Sequence, residues 1–167
     1  MMRKLLVLIL VLGMASAANA VLISVNGQTG DAIQIDETAI PATIAVVGED
    51  TSSWLGYIIV AEGGAGALGN AQVLAAAGDL GSANPYTEAG WGAGYELTIA
   101  ASPTGAISVG DLVKFDYTAA LGDTATIALY VDPEYGIPAA AVAVEVVPEP
   151  MTIVLLGLGG LFLRRRK

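Results

Sequence analysis

The sequence predicts an all-β protein: a single β-sandwich over residues 21–147, flanked by an N-terminal signal helix and a short C-terminal transmembrane helix. Short runs rich in Val, Ile, Thr, Tyr and Trp recur along the chain. Gly, Pro, Asn and Asp punctuate them at close spacing. Between the two ends, no long stretch keeps a 3.6-residue apolar period. Nine such segments fit the pattern of a sandwich.

Residues 21–25 form the first run and close at Asn26-Gly27, a turn dipeptide. Residues 32–35 alternate and precede the acidic pair Asp36-Glu37. Residues 42–47 follow Pro41 and stop at Gly48. Residues 54–60 are aromatic and β-branched, hence a buried strand with Trp54 and Tyr57 in the core. Residues 72–75 are a weaker run, and 68–77 are equally compatible with a helical turn or short helix. Glycines make 63–69 and 90–94 expected mobile loops. Residues 95–100, 112–117 and 124–131 alternate, and 141–147 complete the series.

Alternation also orients these strands. Val113, Phe115 and Tyr117 share one face, with Lys114 and Asp116 on the other. Ala125, Ile127 and Leu129 likewise oppose Thr124, Thr126 and Ala128. The short Leu121-Gly122-Asp123 connection predicts that these two strands pair as a hairpin.

Charge is distributed unevenly. Of seven basic residues, only Lys114 lies between Lys4 and Arg164, while all sixteen acidic residues fall between Asp31 and Glu149. Such an acidic domain repels phosphates, which argues against nucleic acid as a partner. It suits a solvated, exported surface. The chain contains no Cys and no His. Disulfides, thiol nucleophiles, Ser-His-Asp triads and His-ligated metals are therefore excluded, and stability must come from the core. About 130 residues between the ends suffice for one.

Residues 1–20 are organised as a signal peptide. Arg3 and Lys4 precede an unbroken apolar run over 5–12, and the segment ends Ala18-Asn19-Ala20. Small side chains at Ala18 and Ala20 fit signal peptidase, so cleavage is expected after Ala20, leaving Val21 first. At the other end, Pro148-Glu149-Pro150 precedes thirteen uncharged, mainly apolar residues, 151–163, and then Arg164, Arg165, Arg166 and Lys167. As a helix the apolar piece would measure roughly 20 Å, short of a ~30 Å hydrocarbon core unless basic side chains snorkel and the bilayer thins. The positive-inside rule makes the basic cluster a cytoplasmic anchor and turns the domain outward. The two prolines hold the tripeptide extended.

This three-part tail, residues 148–167, resembles the PEP-CTERM sorting signal of Gram-negative and related bacteria, and its LGLGGLFLRRRK ending is especially similar to planctomycete members. The resemblance implies processing by a membrane-embedded exosortase. The protein would be held transiently in the inner membrane and then passed to the outer surface or extracellular matrix. A second resemblance lies in the domain. The segment GDLVKFDYTAALGDTATIAL, residues 110–129, is similar to the closing strands of cohesin-like sandwiches. VLAAAGDLG, residues 73–81, is similar to the segment after that family's central strand, and residues 31–47 to its opening strand pair. This implies a cohesin-like sandwich of Ig-like jelly-roll type. The family's YDP is absent after residues 57–60, so the likeness extends to the fold and not to a dockerin partner.

Candidate chemistry within the domain is sparse. The carboxylate pairs Asp36-Glu37, Glu49-Asp50 and Asp132/Glu134 stand at strand ends and turns, where acids cap and solubilise. Asp31, Asp36, Asp79, Asp111, Asp116 and Asp123 are the oxygens available to a loop calcium, without EF-hand spacing. No catalytic, cofactor-binding or metal residue is assigned. Tyr86 and Trp91, in a Gly/Asn/Pro-rich stretch, are the candidate ligand-stacking aromatics. Gly63-Gly64-Ala65-Gly66 lacks the lysine of a phosphate loop. The expected protein is a non-enzymatic envelope component with a structural or adhesive role. The rivals are a cohesin-like module for a protein or extracellular polysaccharide and, less favoured, a secreted hydrolase.

Overall fold

The computed structural model describes residues 21–88, 92–131 and 136–149. Its strands, in chain order, are β1 (Val21–Val25), β2 (Gln28–Thr29), β3 (Ala32–Asp36), β4 (Ala42–Gly48), β5 (Trp54–Glu62), β6 (Ala67–Val73), β7 (Ser82–Glu88), β8 (Gly92–Ile99), β9 (Gly110–Thr118), β10 (Thr124–Tyr130) and β11 (Pro138–Val147). Single 3-10 turns occupy Glu37–Ala39 and Ala75–Ala77. The strands form a five-stranded sheet, β2-β1-β4-β9-β6, and a six-stranded sheet, β3-β11-β10-β5-β8-β7. All neighbours are antiparallel except β3 and β11, which run parallel from the Ala32–Ala143 pair to the Asp36–Val147 pair. The protein is all-β, and its two sheets pack face to face as a sandwich.

Period-two alternation builds the core between them. Val25, Ile44, Val46, Phe115 and Tyr117 enter it from one sheet, and Ile35, Ile59, Leu97, Ile127, Leu129 and Val144 from the other. The Tyr95 and Phe115 rings meet across the sheets at 5.0 Å between centroids, tilted by 45°. Each such fully buried side chain contributes about 1.5–3 kcal/mol of transfer free energy, set against ordering entropy. Trp54 and Tyr57 belong to this interior: Trp54 is buried, Tyr57 is half-buried against the core, and their rings stack at 5.1 Å.

Several expectations are corrected. β9 and β10 are not a hairpin but lie in opposite sheets. The turn between them is fastened to β11: Gly122 N–H donates to the Val146 carbonyl at 2.9 Å and Val146 N–H to that of Asp123 at 3.0 Å. The Asp123 carboxylate closes the turn by accepting from Ala120 N–H at 2.8 Å. The chain is thereby delivered to the second sheet. Residues 68–73 are strand rather than helix, because β6 finds a partner in β9, and only Ala75–Ala77 turns. The supposed loop at 90–94 gives Gly92 and Gly94 to β8, and Ala67–Gly69 belong to β6. β7 was not foreseen, since SANPYTE has little β character; it pairs with β8 at the sheet edge, where Pro85 is tolerated.

Strand directions place the two chain ends of the domain at opposite poles. Val21 lies with Trp54, Val131 and Ala139 around a small pocket of about 180 Å³. Val147 pairs with Asp36 at the other end, next to the Leu121–Asp123 turn.

Candidate functional site

The outward face of the six-stranded sheet carries the most distinctive surface. Register fixes its rows. Thr126 stands between Ala143 and Glu62; Ala128 between Ala141 and Val60; Gly94 between Val60 and Tyr86. Tyr130 faces Ile58, and Ile58 faces Glu96. Ile58, Val60, Ala128 and Tyr130 make an apolar cluster separate from the core, with half-buried Tyr86 packed against it. Gly94 is required here, because a Cβ would collide with the Ile59 carbonyl and with Val60 Cγ1.

Tyr130 donates its hydroxyl to Glu62 Oε1 at 2.7 Å. Its pKa is pushed up to about 12, first by burial, then by the hydrogen bond to Glu62 and by that carboxylate's charge.

Beside this cluster runs an open groove of about 780 Å³, with Ala32 and Ala143 among its floor residues and Gln28, Gln34, Glu62, Thr124, Thr126 and Glu145 supplying polar groups. Gln34 Nε2 donates to Glu145 Oε2 at 3.3 Å. Hydroxyls, amides and carboxylates without a cation suit an uncharged, hydroxyl-rich polymer and repel an anionic one. Glu62 and Glu145 sit on strands separated by β10, about 10 Å apart in the sheet direction. A glycosidase needs two carboxylates flanking a bound sugar. The open face does not enclose one. Neither glutamate was singled out from the sequence, although alternation in Val144-Glu145-Val146 already turns Glu145 outward.

Tyr86 is placed in β7, half-buried against the apolar cluster, and not in an open loop. Trp91 lies outside the described residues, as do Asp132, Glu134, Ala18, Ala20, Pro150, the 151–163 segment and the cations Arg164, Arg165, Arg166 and Lys167. Val21 is described: it is buried, opens β1 and pairs with Gly48. Pro148 and Glu149 follow β11 outside regular structure and are half-buried. Among the described residues no helix is long and apolar enough to cross a membrane.

The candidate calcium oxygens are dispersed and locally bonded. Asp36 accepts from Thr38 N–H at 2.9 Å, Asp111 pairs with Lys114 at 2.8 Å, and Asp116 accepts from Asn70 Nδ2 at 2.7 Å. Asp79 accepts from the Ser102 hydroxyl and N–H, each at 2.7 Å. These two bonds, the hydroxyl's first, hold its carboxyl below the ordinary range. Among the described residues no three such groups converge.

Exposed apolar side chains gather at the Val21 pole. Leu55 is the second residue of β5, Val73 ends β6, Val109 precedes β9, and Val131 and Ile137 flank the β10–β11 connection. No family model, curated protein or solved structure matches this chain.

Proposed function

We propose that this chain is an exported bacterial envelope protein, carried by a PEP-CTERM tail and cut by exosortase. Its cohesin-like sandwich is displayed at the outer surface or in the extracellular matrix in a non-enzymatic structural or adhesive role. One observation supports the reading above others: β11 stops at Val147, directly before Pro148-Glu149-Pro150, and among the described residues both sheets are built from strands within 21–147. Mass spectrometry of the extracellular fraction is expected to find a chain that starts at Val21 and ends near Pro150. Retention of Lys167 on all extracellular protein would reject tail removal. Replacing Pro148, Glu149 and Pro150 by alanine is expected to trap the protein in the membrane.

A binding role for polysaccharide or protein is the second reading, favoured by the open polar groove and by the apolar pole remote from the tail. A glycan array with the secreted protein tests it. Retention of neutral glycans that falls on Glu62→Ala and Thr126→Ala supports the groove, and indifference to both removes it.

A further inference from the structure

At the pole where β1 begins, Val21 and Asp50 line the same small pocket, together with Ser52 and the stacked rings of Trp54 and Tyr57. Its volume of about 180 Å³ is close to the ~150 Å³ that holds one benzene ring, so groups on facing walls stand within a few ångströms of each other. The ladder explains the meeting. Val21 lies opposite Gly48 on β4, and Asp50 follows two residues later, so the loop after β4 carries its carboxylate to the first residue of β1. Ser52 N–H donates to Asp50 Oδ1 at 2.8 Å and fixes that carboxylate. The Tyr57 phenol has its pKa raised, first by burial and then by the charge of Asp50, so this charge is felt inside the pocket. The titratable and charged groups around Val21 are Glu49 and Asp50 on the loop, Tyr57 on β5 and the Asp111–Lys114 pair on β9. Lys114 is the one cation among the described residues, and at 2.8 Å it serves Asp111. Among the described residues, therefore, no cation answers Asp50.

We propose that cleavage after Ala20 supplies that cation: the new α-ammonium of Val21 pairs with Asp50 and closes the pocket, so that signal removal itself fastens β1. The inference rests on the export reading, which places the cut there. Before the cut, the Val21 nitrogen is an uncharged amide. Hydrolysis breaks its bond to the Ala20 carbonyl carbon. The oxygen of water goes to the Ala20 carboxylate, and both of its protons end on the Val21 nitrogen. The same atom then carries a positive charge and three donors. Opposite charges in a partly buried pocket attract more strongly than in open water. The pair joins the first residue of β1 to the loop after β4, at the end of the ladder that these two strands share. An ammonium facing a carboxylate titrates above its ordinary range of about 7.7–8.0. Its contribution is then complete below about pH 8 and is lost as pH rises through the raised folded value.

The test uses extracellular protein that starts at Val21. A limiting amount of an amine-acylating reagent is applied between about pH 6 and 10, a range that brackets an α-amine. Labelling of the N-terminal peptide is read by mass spectrometry against Lys114 as internal reference. The wild-type α-amine is expected to titrate about one unit above that of Asp50→Asn, a variant whose amide oxygen still accepts from Ser52 N–H. As a second measurement, acetylation of the α-amine is expected to lower the urea midpoint of the wild type more than that of Asp50→Asn. Equal titration in the two proteins overturns the proposal, and so does an equal effect of acetylation. A first residue other than Val21 overturns the cleavage reading and the pair together. Equal titration on a chain that does start at Val21 overturns the pair alone, so the two failures are distinguishable.

Discussion

Tyr130 reaches along its own strand to bond Glu62 at 2.7 Å, although the ladder sets it opposite Ile58, four residues before that glutamate. The ring thereby lies within the apolar cluster while its hydroxyl reaches the polar groove. Because its folded pKa of about 12 lies above the ordinary 10.0, the folded state keeps a proton that the unfolded chain has already lost. The associated stability is complete below about pH 10 and is lost as pH rises through about 12. Tyr130→Phe should lower the unfolding free energy at pH 8 by about 1 kcal/mol, the net value of one hydrogen bond. It should also flatten the decline between pH 10 and 12, measured by urea denaturation.

Tyr117 offers the opposite case. Its hydroxyl is buried beneath Gly66 and has no hydrogen-bond partner among the described residues. Burial, and then the charge of Asp123, raises its pKa. Tyr117→Phe removes an unsatisfied polar group while keeping the ring. It is expected to leave stability unchanged or raise it by about 1 kcal/mol. A loss as large as that of Tyr130→Phe would show that the hydroxyl is bonded in solution.

Gly94→Ala should be among the most damaging single-methyl additions. Its Cβ meets the Ile59 carbonyl, part of a central ladder that cannot retreat. A cost of about 2–3 kcal/mol is expected, readable as a fall in Tm. Phe115→Ala, which empties the ring site facing Tyr95, should cost about 3–5 kcal/mol.

The Asp79–Ser102 clasp sets behaviour in acid. Its depressed carboxyl contributes above the ordinary carboxylate value of 3.8, and that contribution is lost as pH falls through the lower folded value. Asp79→Ala should speed amide exchange at Ser102 at neutral pH and remove the acid dependence of that exchange. Unchanged exchange would show that other contacts hold this loop.

Much of the sandwich was legible because side chains alternate visibly. Val113, Phe115 and Tyr117 point inward as their spacing demanded, and the run at 54–60 is a central strand. Pairing was less legible. Nothing local in Leu121-Gly122-Asp123 distinguishes a hairpin from a crossing between sheets; the bonds to Val146 decide it, and those lie 24 residues away. β6 and β7 were obscured because Ala, Gly, Asn and Pro have little strand preference, and their ladders with β9 and β8 override it. The outward cluster was hidden for another reason. Ile58 and Val60 read as ordinary core in a buried run, and only the register reveals that they face away from it.

Because Val21 and Val147 sit at opposite ends of the sandwich, a molecule tethered by its tail and gripped at its far pole is pulled lengthwise along its strands. Tension then loads the hydrogen bonds of β11 to β10 and β3, and of β1 to β4, side by side instead of one after another. Ladders resist shear far better than they resist peeling. The sandwich would meet such tension without a disulfide to reinforce it, since the chain has no cysteine.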